Sequence, residues 1–445
     1  MSLSQIALRL LDRAQHAGAS AAEVLVSEQQ ERVWSAESGG RSRGTPKIEQ
    51  QHRARARVTL RAYREDGRLG VRTLTLTAAD NAFDRIDDLA KDAVQRAANA
   101  PTDPLCGPPQ RMDITDRGLS IADPRHSRLT DEDRQDIISW NWGTARSVSS
   151  RIRPQSFALH EFVLDRTYHS TRGVEAAEHS TRYEVHGAAR SANRGDWIAR
   201  GQVTSRHFAD IASRPLGAEL GNRLEAGDRA TRMPAEAHPL VFEPYVIAEI
   251  LPLLPTAFDA TRLDAGESFL QSRFGARVAP AWFNLTDDAA VNAGLNTRSF
   301  DDRGVPPIPV PLIREGILTG VYLNPRQARA RDTRPTGHAT FDGGLWSGNL
   351  ELRPGTRSRN MVFAELNRYL VAVDLIEPPT LDVKTGALEM KVWLLLDGPE
   401  RNPGRLGAYR IQTNALDFIG AIVQLASDQT RFGATVTCTT VTEGL

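Results

Sequence analysis

Arg53-Ala54-Arg55-Ala56-Arg57-Val58-Thr59-Leu60-Arg61-Ala62 alternates with a period of two: the even positions are apolar and the odd positions mostly arginine. Successive side chains leave a β-strand on opposite faces, so this stretch reads as a strand with one packed and one wet face. Asp66-Gly67 then supplies turn chemistry into Val71–Leu76, which makes a hairpin. Helical periodicity flanks the hairpin on both sides. Leu3, Ala7 and Leu11 with Ile6, Leu10 and Ala14 share one face before it, and Phe83, Ile86, Ala90, Ala93 and Ala97 share one after it. Ala22, Val24 and Val26 alternate into a short strand, whereas Ser35 to Gln51 lacks periodicity and reads as a loop. Together these elements form a small α/β layer.

Beyond Pro101 a stretch rich in Pro, Asp and Gly reads as a linker, followed by a helix over 130–150. Phe157 to Leu164, Thr167 to Ser170 and Ser180 to Arg190 read as strands, with a turn at Arg172-Gly173. A helix carrying Leu216, Leu220 and Leu224 closes this region. Met233-Pro234 marks a second boundary. Leu240–Phe242, Leu312–Val321, Leu366–Ile376 and Leu388–Leu396 then read as strands. A late helix capped by Asn414 carries Leu416, Ile419, Ile422 and Leu425, and Ala434 to Thr442 reads as a last strand. The expected class is α+β. An N-terminal α/β domain with a small sheet and amphipathic helices precedes a largely antiparallel β C-terminal domain, barrel- or sandwich-like. The implied division is 1–105, 120–230 and 235–445.

The chain has 445 residues, with 55 basic and 55 acidic side chains and a formal net charge of zero. That balance argues against a protein whose main business is coating nucleic acid or an anionic membrane. No apolar run approaches the roughly 20 residues of a membrane span. Met1-Ser2-Leu3-Ser4-Gln5 has neither a basic start nor an apolar stretch after it, so no signal peptide is expected and the cytoplasm is the expected address. Cys106 and Cys438 are the only cysteines, which excludes a disulfide framework or a zinc ribbon.

Chemistry-bearing motifs are sparse. His160-Glu161 opens like a metallopeptidase motif, but no second histidine follows at helical spacing, so His160 reads as a strand residue at a sheet edge. His169 and His179, in the repeated His-Ser-Thr-Arg, are placed to approach each other across a hairpin turning at Gly173, although a solvated hairpin face is the plainer reading. No Gly-x-Ser-x-Gly elbow occurs, and Gly343-Gly344 is not followed by Lys-Ser/Thr. Cys438, among Thr437, Thr439 and Thr440, reads as a small buried thiol. By residue chemistry alone the sequence holds no complete active site.

A series of signposts in the C-terminal half resembles the TldD/PmbA (TldD/TldE) family. They run Gly266-Glu267-Ser268-Phe269, Phe274-Gly275, Leu285-Thr286-Asp287-Asp288 and Ser299-Phe300-Asp301-Asp302-Arg303-Gly304-Val305-Pro306. Leu312 to Leu318, Arg334-Pro335-Thr336-Gly337-His338 and Asn349 to Gly355 follow in order. The N-terminal half matches more loosely, and Arg303 stands where the family usually has an acidic residue. The resemblance implies one of two kinds of subunit. TldD-like chains carry a zinc-binding HExxxH helix and a late cysteine ligand; TldE-like (PmbA-type) chains lack both and pair with the catalytic subunit. Here the equivalent window is Ala248-Glu249-Ile250-Leu251-Pro252-Leu253, in which only Glu249 remains and Pro252 disrupts a helix.

The resemblance therefore implies a non-catalytic TldE-like subunit, inactive alone, with no cofactor of its own and zinc in the partner. The implied partners are a TldD-like catalytic subunit, in a heterodimer, and an unfolded or precursor (leader) peptide lying as an added strand. Candidate cleft residues are Asp301, Asp302, Thr336, Gly337, His338 and Asn349, with Glu249 as the vestigial motif position. Each of the six cleft candidates has a plainer role in fixing a tight turn. Alternatives are a self-sufficient homodimeric peptide-binding or hydrolytic homologue and a regulatory protein of the gyrase-modulator kind; the neutral charge disfavours direct contact with nucleic acid.

Overall fold

The computed structural model describes residues 2–38, 47–76, 82–112, 118–193, 197–229, 231–232, 238–366, 368–397 and 405–443. The N-terminal half comprises α1 (Leu3–His16), β1 (Ala21–Glu37), β2 (Glu49–Tyr63), β3 (Leu69–Leu76) and α2 (Ala82–Ala98). It continues through α3 (Asp131–Val148), β4 (Ile152–Ser170), β5 (Glu175–Ser191), β6 (Ile198–Ser205), α4 (Phe208–Ala212) and α5 (Leu216–Arg229). Ser2 caps α1 and Thr130 caps α3, each through a reciprocal box with the residue three positions on, Gln5 and Asp133.

One antiparallel sheet, in the order β3-β2-β1-β4-β5-β6, joins the segments 1–105 and 120–230, because β1 pairs with β2 on one side and β4 on the other. β1 is longer than its apolar alternation implies. The polar run Ser27 to Arg32 hides its continuation to Glu37, and part of the stretch from Ser35 to Gln51 is strand. Residues 39–46 of that expected loop lie outside the described residues, as does the Met233-Pro234 boundary. β6 gave no recognisable signal in the sequence. All the large helices lie on one face. α1 and α2 cover Ala22, Val24, Val26, Val58, Leu60 and Ala62, and α3 and α5 cover Trp34, Phe157, Leu159, Tyr183 and Val185. The even positions of β1 and β2 therefore point at helices and the odd positions at the C-terminal half.

That half begins with β7 (Thr231–Arg232), β8 (Leu240–Phe242), α6 (Pro244–Ile250) and α7 (Ala260–Ala265). β9 (Leu285–Asp288), β10 (Val310–Arg314), β11 (Ile317–Leu318), α8 (Pro325–Ala330) and β12 (Asn349–Leu352) follow. The remainder is α9 (Arg359–Glu365), β13 (Tyr369–Leu381), β14 (Ala387–Asp397), β15 (Arg405–Asn414), α10 (Ala415–Gly420), β16 (Ile422–Leu425), β17 (Thr430–Phe432), β18 (Thr435–Thr437) and β19 (Thr440–Thr442). Two sheets, β11-β10-β9-β12-β18-β17 and β16-β19-β8-β13-β14-β15-β7, share one apolar core that includes Phe242, Leu285, Leu312, Leu352, Met390 and Phe418. The class is α+β, and the form is a sandwich: no described sheet closes into a barrel.

Two further elements, near the C-terminus, differ from their sequence reading. The late helix ends at Gly420, and Ile422–Leu425 is a strand paired with Thr440–Thr442; a register shift between Ile422 and Gln424 lets two apolar residues three positions apart both be buried, which mimics a helical spacing in the sequence. The last strand is two strands in different sheets, crossing at the buried Cys438, whose thiol burial pushes up to about 12. Among the described residues no helix is long and apolar enough to cross a membrane.

The two halves meet at a buried charge. Glu23, on the odd face of β1, is fully buried and receives Arg303 Nη2 at 2.7 Å, Arg61 Nε at 3.2 Å and the hydroxyls of Tyr63 and Tyr168. Burial opposes its charge, but Arg303 and Arg61 prevail and hold its pKa below the ordinary glutamate range. Its contribution is therefore present at neutral pH and is lost as the pH falls through the lowered value. Glu23→Gln, which leaves two buried guanidiniums facing a neutral amide, is expected to cost about 3–5 kcal/mol, read as a lowered denaturant midpoint at pH 7.

Candidate functional site

Strand register defines the groove between the sheet and the C-terminal loops. Opposite the helices, β1 presents Leu25, Ser27 and Gln29; β2 presents Arg57 and Thr59; β4 presents Phe162, Leu164 and Arg166; β5 presents Glu178, Ser180 and Arg182. Loops at 294–302 and 340–346 face these rows. They enclose two neighbouring cavities of about 420 Å³ and 230 Å³ that share Leu164 and Arg298. Arginines dominate the lining. Arg166 bonds Glu178 at 3.0 Å and Asp302 at 2.9 Å, and Arg298 bonds Asp302 at 3.2 Å while lying 3.9 Å over the Trp346 ring. Such a surface suits a polar, extended ligand better than an apolar one.

The six cleft candidates are mostly turned inward. Asp301 is buried: Oδ1 accepts the backbone N–H of Arg303 and Val305, and Oδ2 accepts that of Ala339; burial pushes its pKa up to about 7. Thr336 Oγ1 accepts the Leu323 N–H. Gly337 has φ +75°, and a Cβ there would lie 2.5 Å from Pro307 Cα. Asn349 bridges the Asp288 carbonyl, Thr297 Oγ1 and the Asn296 N–H. His338 bonds the Thr336 carbonyl through Nδ1, lies between the Tyr322 and Trp346 rings, and has no hydrogen-bond partner at Nε2. Only Asp302 lines the groove, so these residues form the frame behind the loops rather than an exposed wall.

The other histidines are also placed. His160 sits on a central strand rather than a sheet edge, 3.2 Å from Glu31 and edge-on to His186. His169 faces Glu175 and His179 faces Asp165, so the two do not meet. The residues the sequence reading missed are Arg182, which closes the second His-Ser-Thr-Arg copy, and Arg206, Arg298 and Trp346, which no local motif marks. They come together from four separate segments.

Glu249 lies on α6, where burial raises its carboxyl pKa. The next turn, Leu251–Leu253, is a short 3-10 helix containing Pro252, and its surroundings are Ile250, Leu251 and Leu254. One turn before Glu249, Tyr245 borders a cavity of about 590 Å³ with Trp197, Arg223, Arg359 and Phe432. Among the described residues no three His, Cys, Asp or Glu side chains converge as metal ligands. The donors at α6 therefore do not fit a zinc ion.

A family model described as the PmbA/TldA metallopeptidase C-terminal domain matches residues 235–445. These residues belong to the PmbA/TldD family. Metalloprotease PmbA of Escherichia coli O157:H7 is 23% identical over 223 residues, 50% of this chain and 48% of that protein, so the match spans about half the length of each. TldE from Thermococcus kodakarensis shares the fold with a TM-score of 0.83 at 16% identity, over 98% of both chains. Proteins from Bacteroides thetaiotaomicron and Thermotoga maritima, each described as a proposed modulator of DNA gyrase, share it with TM-scores of 0.83 and 0.81. Their identities are 15% and 17%, and coverage is 99% of this chain and 97% and 99% of theirs. At such identities the likeness is one of fold.

Within this PmbA/TldD domain, burial holds the His338 pKa down at about 4, because protonation would place a charge where Nε2 has no acceptor. A histidine kept neutral contributes stability that is present above its unfolded pKa near 6.5 and lost as the pH falls towards 4. Between pH 7 and pH 5 the chain is expected to lose about 2 kcal/mol more than His338→Phe does, measured by denaturant unfolding at each pH.

Proposed function

We propose that the chain is a non-catalytic, TldE-like subunit that pairs with a TldD-like zinc subunit to form a heterodimeric metallopeptidase. Its substrates in this proposal are unfolded proteins or precursor peptides from which a leader is trimmed. The observation that carries the proposal is the α6 window: Glu249 stands alone, Pro252 interrupts the helix, and the following residues are apolar core. A glutamate cannot serve as general base to a metal-bound water where nothing holds the metal. The PmbA/TldD match over the same residues supports a metallopeptidase setting, and the fold shared with TldE supports the accessory role. In that role the chain supplies one wall of the peptide path, and its arginine-lined groove is suited to polar backbone and side chains of an extended chain.

Metal analysis and peptidase assay of the purified chain, alone and mixed with a HExxxH-bearing homologue from the same source, test the proposal. The expected result is neither zinc nor cleavage alone, with cleavage and a co-eluting heterodimer on mixing. Stoichiometric zinc in the chain alone, or cleavage by the chain alone, would overturn it.

A further inference from the structure

The larger groove cavity, about 420 Å³, has three arginines in its lining, Arg182, Arg206 and Arg298, against one carboxylate, Glu178. That carboxylate is committed: it accepts Arg166 Nη2 at 3.0 Å through Oε1 and the Ser299 N–H through Oε2. Arg206 is 7% exposed, and its three nitrogens donate to the carbonyls of Gly294, Thr181 and Thr297. No carboxylate lies within ion-pair distance of it among the described residues. Its positive charge is thus held in place by neutral groups.

The other two guanidiniums lie over aromatic rings. Arg298 lies 3.9 Å over Trp346 and Arg182 lies 4.5 Å over Phe162. Each is paired with a carboxylate outside the lining: Arg298 donates to Asp302, and Arg182 Nε lies 2.9 Å from Glu184 Oε1 as an ion pair without hydrogen-bond alignment. A guanidinium carries five N–H groups, and contact with a ring face leaves an edge to form paired bonds with a carboxylate. Ser180, Asn296 and Gln29 supply further polar partners around the same space. Burial, followed by the Arg166 cation, lowers the Arg298 pKa to about 10, and burial lowers that of Arg206 to about 10. An anion in the cavity would offset both costs.

We infer that this cavity is a carboxylate-binding subsite for an extended peptide, receiving either an aspartate or glutamate side chain or the chain's carboxyl terminus between Arg182 and Arg298. The carboxylate rests on the arginine arrangement, and the peptide rests on the proposed role in peptide processing. The volume suits one side chain or chain end.

Isothermal titration of the full chain alone with three peptides tests the inference. The first is an extended ten-residue peptide with a single internal glutamate and a free carboxyl terminus; the second has that glutamate replaced by glutamine; the third has an amidated terminus. Binding of the first is expected to weaken about tenfold or more when the carboxylate that enters the cavity is removed, as for a charge-assisted paired bond. Weakening by glutamine assigns the side chain, and weakening by the amide assigns the terminus. Arg182 is partly exposed, so Arg182→Gln is expected to keep the wild-type unfolding midpoint while weakening the first peptide about tenfold. Equal affinity for all three peptides, no binding of any, or an Arg182→Gln chain that binds as well as wild type would overturn the inference. Because no partner is present, these outcomes are independent of whether mixing with a HExxxH homologue produces cleavage.

Discussion

The bridge from Glu23 to Arg303 joins residues 280 positions apart and holds the two halves of the chain in one arrangement. Its surroundings leave little freedom. Arg303 also donates to Tyr63 and to the Gly107 carbonyl, Arg61 to the Phe341 carbonyl, and Gly304 packs so close to Tyr168 that a Cβ would lie 2.3 Å from the ring. Buried pairs of this kind contribute modestly to net stability, yet removing one member leaves the others uncompensated. Leu25, Tyr168, Phe300 and Phe341 form an apolar cluster where the two halves meet.

The groove follows from that docking. Holding Arg303 against the first sheet brings its neighbours Asp302 and Phe300 over Arg166, and the 294–298 loop over Arg206. Asp301, with its three backbone partners, fixes the turn that aims Arg303 inward. Arg303, a cation between two acidic residues and a glycine in the sequence, answers Glu23 in the structure. A charge that looks misplaced in the sequence is matched once the strand carrying its partner is known.

Much of the fold was legible because local chemistry agreed with it. The alternation at Arg53–Ala62 placed β2, the Asp66-Gly67 turn placed the hairpin, and the leucine spacing at 216, 220 and 224 placed α5. β6 and the polar continuation of β1 were not legible, since strands with polar residues towards a groove lose the apolar signal. The candidate site was read less well. Asp301, Thr336, Gly337, His338 and Asn349 stand out as turn residues among the signposts; in the structure Asp301 and Gly337 hold turns, whereas Thr336 and Asn349 tie separate segments together and His338 packs between two rings. The arginines of the groove look like ordinary solvated charges when read one strand at a time.

The sequence by itself determined the α+β class, the absence of a HExxxH helix at Glu249 and the family of the C-terminal half, because each is written in neighbouring residues. Only the tertiary structure decided that residues 1–105 and 120–230 share a sheet, that Ala434 to Thr442 divides between two sheets, and that Arg182, Arg206 and Arg298 border one cavity. The physical reason is range. Periodicity, caps and turns act within a few residues, whereas strand pairing and the compensation of a buried charge link segments far apart in the chain, whose meeting no local pattern encodes.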